Sequence, residues 1–227
     1  MLNLSLAALA FLAIHLASSS PLRGALIARF GWNAWTIAFS LVSVIAIVWL
    51  VMAYAAMPEQ APVFLSHPIA RWIANILMPL AFLFFVVSLL TRNPSVVGQA
   101  SALDRDDIAD GINAVTRHPF FWGVVLWAVA HLLNNAAPAD LVFFGTLGLL
   151  AFAGTFAVDA KKRAQIGEPW SAFEKRTSNL PFAAILAGRN RLSLSAIGWW
   201  RIGLAVLAWL GSLAAHPWLY GVSPLPA

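Results

Sequence analysis

The chain has no cysteine, and Lys, Arg, Asp and Glu together make up only 10% of its 227 residues. The first absence excludes a disulfide framework, a thiolate nucleophile, a zinc ribbon and thiolate-ligated haem or iron–sulfur clusters. The second sets the chain apart from soluble domains, in which about a quarter of residues are charged. What fills the space is apolar, 61% of the sequence, with a mean hydropathy of +0.79. The net charge of +5 does not point to nucleic acid, because such a composition leaves no soluble surface on which to build a basic stripe. The chemistry left to the chain is that of His, Asp, Glu, Arg and the backbone.

Six stretches free of charge are long enough to cross a hydrocarbon core, which takes about 20 apolar residues. They predict an all-α, polytopic bundle of six transmembrane helices, about 2–22, 32–57, 72–91, 118–137, 141–159 and 201–220, forming one domain over 1–227. The first ends in Ala17-Ser18-Ser19-Ser20 but lacks a positive segment before it, and reads as a retained helix. Alternating sides down the chain puts 13 of the 14 Lys and Arg on one face and Arg71 alone on the other. The positive-inside rule then places both termini outside an inner membrane. Trp32, Trp35, Trp72, Trp122, Trp199, Trp200 and Trp218 fall near the helix ends, where indole rings anchor at the interface.

Two cytoplasmic connections carry pattern. Ile108, Ile112 and Val115 share a helical face, predicting a short amphipathic helix on the inner surface. Asp104, Asp106, Asp107 and Asp110 beside it read either as a solvated acidic face or as ligands of a divalent cation. The connection after Asp159 runs about 40 residues, breaks at Gly167-Glu168-Pro169, and contains an apolar octet ending at Ala187 that reads as interfacial or re-entrant.

Ionisable groups at membrane depth are costly, so each is a functional candidate. His67, His118 and His216 precede prolines and predict helix boundaries. His15 and His131 lie inside predicted helices, His15 on a face with Ala8, Leu12, Ser18 and Ser19, and His131 on a face with Phe120, Trp127, Asn134 and Asn135. Either imidazole can join helices by hydrogen bonds or bind haem iron or a metal. A shared iron has to absorb a difference in depth: eight residues from His15 to Arg23, about 12 Å, against fourteen from Arg117 to His131, about 21 Å. A metal trio of His67, His131 and His216 on the outer half is a further option. Arg117-His118-Pro119 sets a cation and an imidazole at a helix N-terminus, which suits a phosphate or carboxylate, while an arginine reaching for the interface and a helix cap account for the same residues.

His15 with its serines, Thr116-Arg117-His118-Pro119-Phe120-Phe121-Trp122-Gly123, Leu126-Trp127-Ala128 and His131-Leu132-Leu133-Asn134-Asn135 together resemble the NnrU family of bacterial membrane proteins. The likeness continues through Asp159-Ala160-Lys161-Lys162-Arg163, Gly167, Trp170 and Thr177-Ser178-Asn179-Leu180-Pro181-Phe182. It implies a role in denitrification, in nitrite and nitric oxide metabolism; a non-catalytic assembly subunit whose helix faces hold a respiratory or denitrification complex is a separate reading of the same chain. The plastid branch of the family, zeta-carotene isomerase, is a haem b enzyme, and the resemblance carries its iron ligands to His15 and His131. A more distant similarity, to isoprenylcysteine and phospholipid methyltransferases, implies S-adenosylmethionine near Arg117, His118, Pro119 and Gly123. Asp159, Trp170 and Phe173 depart from that second pattern, standing where glutamates and tyrosines would be.

Overall fold

The protein is described by a computed structural model covering residues 1–65 and 67–225, and every described element is helical. α1 (Leu2–Ala17) stops at three serines. Ser18 and Ser20 donate their hydroxyls to the carbonyls of His15 and Ala17, offering the backbone local partners in place of the helical ladder. Pro21 then opens α2 (Pro21–Phe30) at an angle of 72° to α1. The expected helix over 2–22 is therefore broken five residues early. α3 (Trp32–Ala55) and α4 (Ile69–Leu89) follow, each long and apolar enough to cross a membrane.

A 3-10 turn (Ala100–Asp104) and α5 (Ile112–Val115) replace the amphipathic surface helix expected there. Ile108 and Ala109 pack with Trp170 and Phe173, while Ile112 and Val115 pack with Phe84 and Val87, so this connection is covered by protein. Gly111 permits the fold, since a Cβ on it would come within 2.8 Å of the Ala196 carbonyl oxygen. α6 (Pro119–Leu132) and α7 (Pro138–Ile166) form the next antiparallel pair. Gly167, at φ 72, ends α7, and α8 (Glu168–Arg176), α9 (Ala183–Leu186), α10 (Leu194–Ile197) and α11 (Trp199–Tyr220) complete the chain. Pro217 lies inside α11, so His216 is within a helix and not at its boundary. The lost N–H falls in the final turn, where the helix has little ladder left to break.

α6 packs between α4 and α7, α1 lies on α3 and α7, and α11 covers the far side of α4. The main apolar core joins Leu4, Ala7 and Phe11 of α1 to Leu50 of α3 and Phe143 and Phe144 of α7. α11 buries only Ala205 and exposes Leu204, Leu207 and Leu210, a surface suited to lipid rather than water. Among the described residues four helices meet the length and hydropathy needed to span a bilayer, and the bent pair α1–α2 makes a fifth. The fourteen residues of α6 rise about 21 Å, less than the roughly 30 Å of a hydrocarbon core.

The bundle has two chemically different ends. At one, Asn3 accepts from the Trp49 indole at 3.1 Å, Tyr54 donates to Asp140 at 2.6 Å, Val63 N–H donates to the Ala136 carbonyl, and Asn75 donates to the Pro224 carbonyl. Of the Lys and Arg residues, Arg71 alone belongs to this end. The opposite end holds Arg117, Asp159 and the long polar connections.

Candidate functional site

α6 links the two ends, carrying His118 at its N-cap and His131 in its last turn. At the cation-rich end, Thr116 adopts extended backbone and His118, before Pro119, lies outside the helical region, with the Arg117 side chain against Asp159 of α7. Arg117 Nε donates to Asp159 Oδ1 at 2.8 Å and a second guanidinium nitrogen donates to Oδ2, a two-pronged pairing. Glu174 lies 3.5 Å from the same guanidinium. His118 Nε2 donates to Asp159 Oδ1 at 2.7 Å, and Asn179 Nδ2 donates to Oδ2 at 3.2 Å. With Nε2 as the donor and Nδ1 buried without a partner, the neutral tautomer fits His118.

The surrounding backbone is bound into the same cluster. Arg117 N–H donates to the Ser178 carbonyl, and the Arg117 carbonyl accepts from Asn93 Nδ2 and Ser95 Oγ. Thr116 Oγ1 and Trp122 Nε1 both donate to the Asn179 carbonyl. Arg117, His118 and Asp159 are all more than nine-tenths buried. The guanidinium offered by the sequence as an anion receiver is paired with Asp159 and lies beside Glu174, and these contacts tie α6 and α7 to two connections. Trp170 and Phe173, at the positions compared with cofactor-binding tyrosines, are buried in packing against Ala102 and Ile108.

The other end of α6 is open. His131 borders a pocket of about 300 Å³ between α4, α6 and α11, together with Arg71, Met78, Asn134, Trp209 and His216. Its Nδ1 donates to the Trp127 carbonyl at 2.8 Å, and its ring stacks on Phe144 at 4.7 Å, which leaves the Nε2 lone pair unused. Asn134 gives both amide hydrogens to the Ala70 and Ala130 carbonyls, so its buried Oδ1 has no partner. His216 Nδ1 is likewise held, by the Val222 carbonyl at 2.9 Å. Of the trio considered from sequence, His131 and His216 share this pocket and His67 does not line it. Among the described residues no three His, Asp or Glu side chains converge on a metal position, and the four aspartates of the 104–110 segment are no exception. Asp107 pairs with Arg105, whose hydrogen bonds hold its carboxyl below the usual carboxylate range, and Asp110 faces Arg176 at 3.6 Å.

His15 repeats the anchoring of His131 in another place. Its Nδ1 donates to the Phe11 carbonyl at 2.8 Å, and its ring meets Phe11 and Phe39 of α3. The donor chemistry suits iron at both histidines, since a ligating imidazole generally gives its other N–H to a carbonyl. His15 is fourteen residues down α1 from Met1, about 21 Å, whereas the Phe144 under His131 is six residues down α7, about 9 Å. Their aromatic surroundings have no residue in common. The depth difference visible in the spacing of the sequence is thus present in the fold.

Sequence reasoning missed Asp159 as a partner of Arg117 and His118, because a carboxylate after an apolar run reads as the end of a span. Arg71, which the sequence marks only as the cation set apart from the others, lines the same pocket as His131.

Comparison with known proteins gives the chain a family. A 15-cis-zeta-carotene isomerase, chloroplastic, from Arabidopsis thaliana is 32% identical over 165 residues, 68% of this chain and 41% of that protein. The Zea mays protein of the same name is 38% identical over 87 residues, 36% of this chain and 22% of that protein. The chain therefore spans less than half the length of these curated relatives. No solved structure matches it. The family description "NnrU protein" fits residues 3–224, nearly the whole length, and the chain belongs to the NnrU family.

Proposed function

We propose that the protein is a multi-pass inner-membrane haem protein with isomerase-like chemistry, and that His131 is an iron ligand. One observation carries the reading: His131 is fixed through Nδ1 by the Trp127 carbonyl while its Nε2 lone pair remains free beside a pocket. Haem b bound there would supply one-electron iron chemistry. Trp127 and Phe144 would hold the imidazole in orientation, and Ala74, Met78, Trp209 and Leu213 would give the pocket apolar walls. Such walls suit a substrate dissolved in the bilayer, the class to which the carotene in the relatives' name belongs. His15 is the second ligand that the family resemblance implies. No step is assigned to that pair.

The same proposal includes six crossings with both termini outside, supported by the confinement of 13 of the 14 cations to one end. It also includes a supporting role in nitrite and nitric oxide metabolism, as the family resemblance implies. The S-adenosylmethionine reading gains no support from a guanidinium already paired with Asp159.

The test is haem-replete expression followed by absorption spectroscopy and a haemochrome assay. The expected result is a Soret band with haem b bound, lost in His131→Ala. A wild-type protein with no Soret band rejects the proposal.

A further inference from the structure

A second pocket, of about 420 Å³, lies at the cation-rich end where α4 finishes and α11 begins. Leu90, Thr91 and Arg92 form one wall, Arg201 another, and Arg105, Asp107 and Asp110 the rim. The rim carboxylates have cationic partners, Arg105 for Asp107 at 2.9 Å and Arg176 for Asp110 at 3.6 Å. Arg92 and Arg201 have no carboxylate partner among the described residues. Arg201 gives one guanidinium nitrogen to the Ile197 carbonyl and lies over the Trp200 ring, but its Nε is buried with no acceptor. The Thr91 hydroxyl, on the opposite wall, is also buried without a partner. A buried charged donor left unmet is costly, and two unmet groups in one basic pocket point to an acceptor absent from the chain itself.

The neighbouring surface indicates what supplies it. Leu89, Trp199 and Trp200 flank the pocket, each at least 60% exposed, as residues facing acyl chains and headgroups would be. We propose that this pocket is a phosphate site filled by the headgroup of an anionic phospholipid, with Arg92, Arg201 and Thr91 as its donors and the acyl chains lying along α4 and α11. A single phosphodiester satisfies the Arg201 Nε, the Thr91 hydroxyl and the excess of positive charge together. The inference does not depend on haem.

Native mass spectrometry of the detergent-purified full chain tests it, with phosphatidylglycerol, phosphatidylcholine and inorganic phosphate as separate probes. Phosphatidylglycerol should be retained in preference to phosphatidylcholine, and the double variant Arg92→Gln, Arg201→Gln should weaken its retention by about thirtyfold. If that variant does not fold, Arg92→Gln alone, at an exposed position, should weaken retention about fivefold. Equal retention of the two lipids, or no loss in a folded variant, overturns the proposal. Binding of inorganic phosphate that displaces phosphatidylglycerol overturns the lipid assignment in favour of a soluble phosphate.

Discussion

Asp159 does most to hold the cation-rich end together, since its two oxygens accept from Arg117, His118 and Asn179. Removing one partner of a buried ion pair is far more damaging than its net contribution suggests, because the other charge is left without compensation. Asp159→Ala should therefore destabilise the detergent-solubilised protein by about 3–5 kcal/mol, measured by denaturant titration with a helix-sensitive readout. His131→Ala removes a ring whose backbone hydrogen bond stays within its own helix, and should cost less. Arg117, His118 and His131 were legible in the sequence because charge and imidazole are conspicuous in an apolar chain. The pairing with Asp159 was not, since 41 residues separate it from His118 and periodicity within one helix carries no information about its neighbours.

Between helices, α4 and α6 approach closely at Gly123, where a Cβ would lie 2.9 Å from the Phe85 nitrogen and 3.0 Å from the Ala81 carbonyl oxygen. Both are backbone atoms and cannot rotate away, so Gly123→Ala should force the helices apart at a cost of about 1–3 kcal/mol. Gly145 in α7 meets nothing within 4 Å, and Gly145→Ala should stabilise by about 0.5–1 kcal/mol. Thermal unfolding of the two variants side by side checks the contrast. The centres of the long helices were legible because charge-free runs and helix length coincide. Boundaries shifted, α6 stopping at Leu132 and α7 running from Pro138 to Ile166, and local reasons are visible in the serine hydroxyls that end α1 and the tolerance of Pro217 in a last turn. The 108–115 segment kept its apolar face but turned it onto Trp170, Phe84 and Val87, and a face alone does not say what covers it.

At the level of the whole molecule, the asymmetry of charge predicts orientation. An alkaline phosphatase fused after residue 227 should be active outside the cytoplasm, and a fusion in the 189–191 segment inactive. In the proposed function the two ends also divide the work, with cohesion at Arg117–His118–Asp159 and ligand chemistry at His131. The most direct test of that division is Soret absorbance per folded chain, compared between Asp159→Asn and His131→Ala after haem-replete expression. Asp159→Asn should lower the yield of folded protein while leaving haem per folded chain near the wild-type value, and His131→Ala should keep the fold and lose the haem. Haem retained in folded His131→Ala, or absent from the wild type, would contradict it.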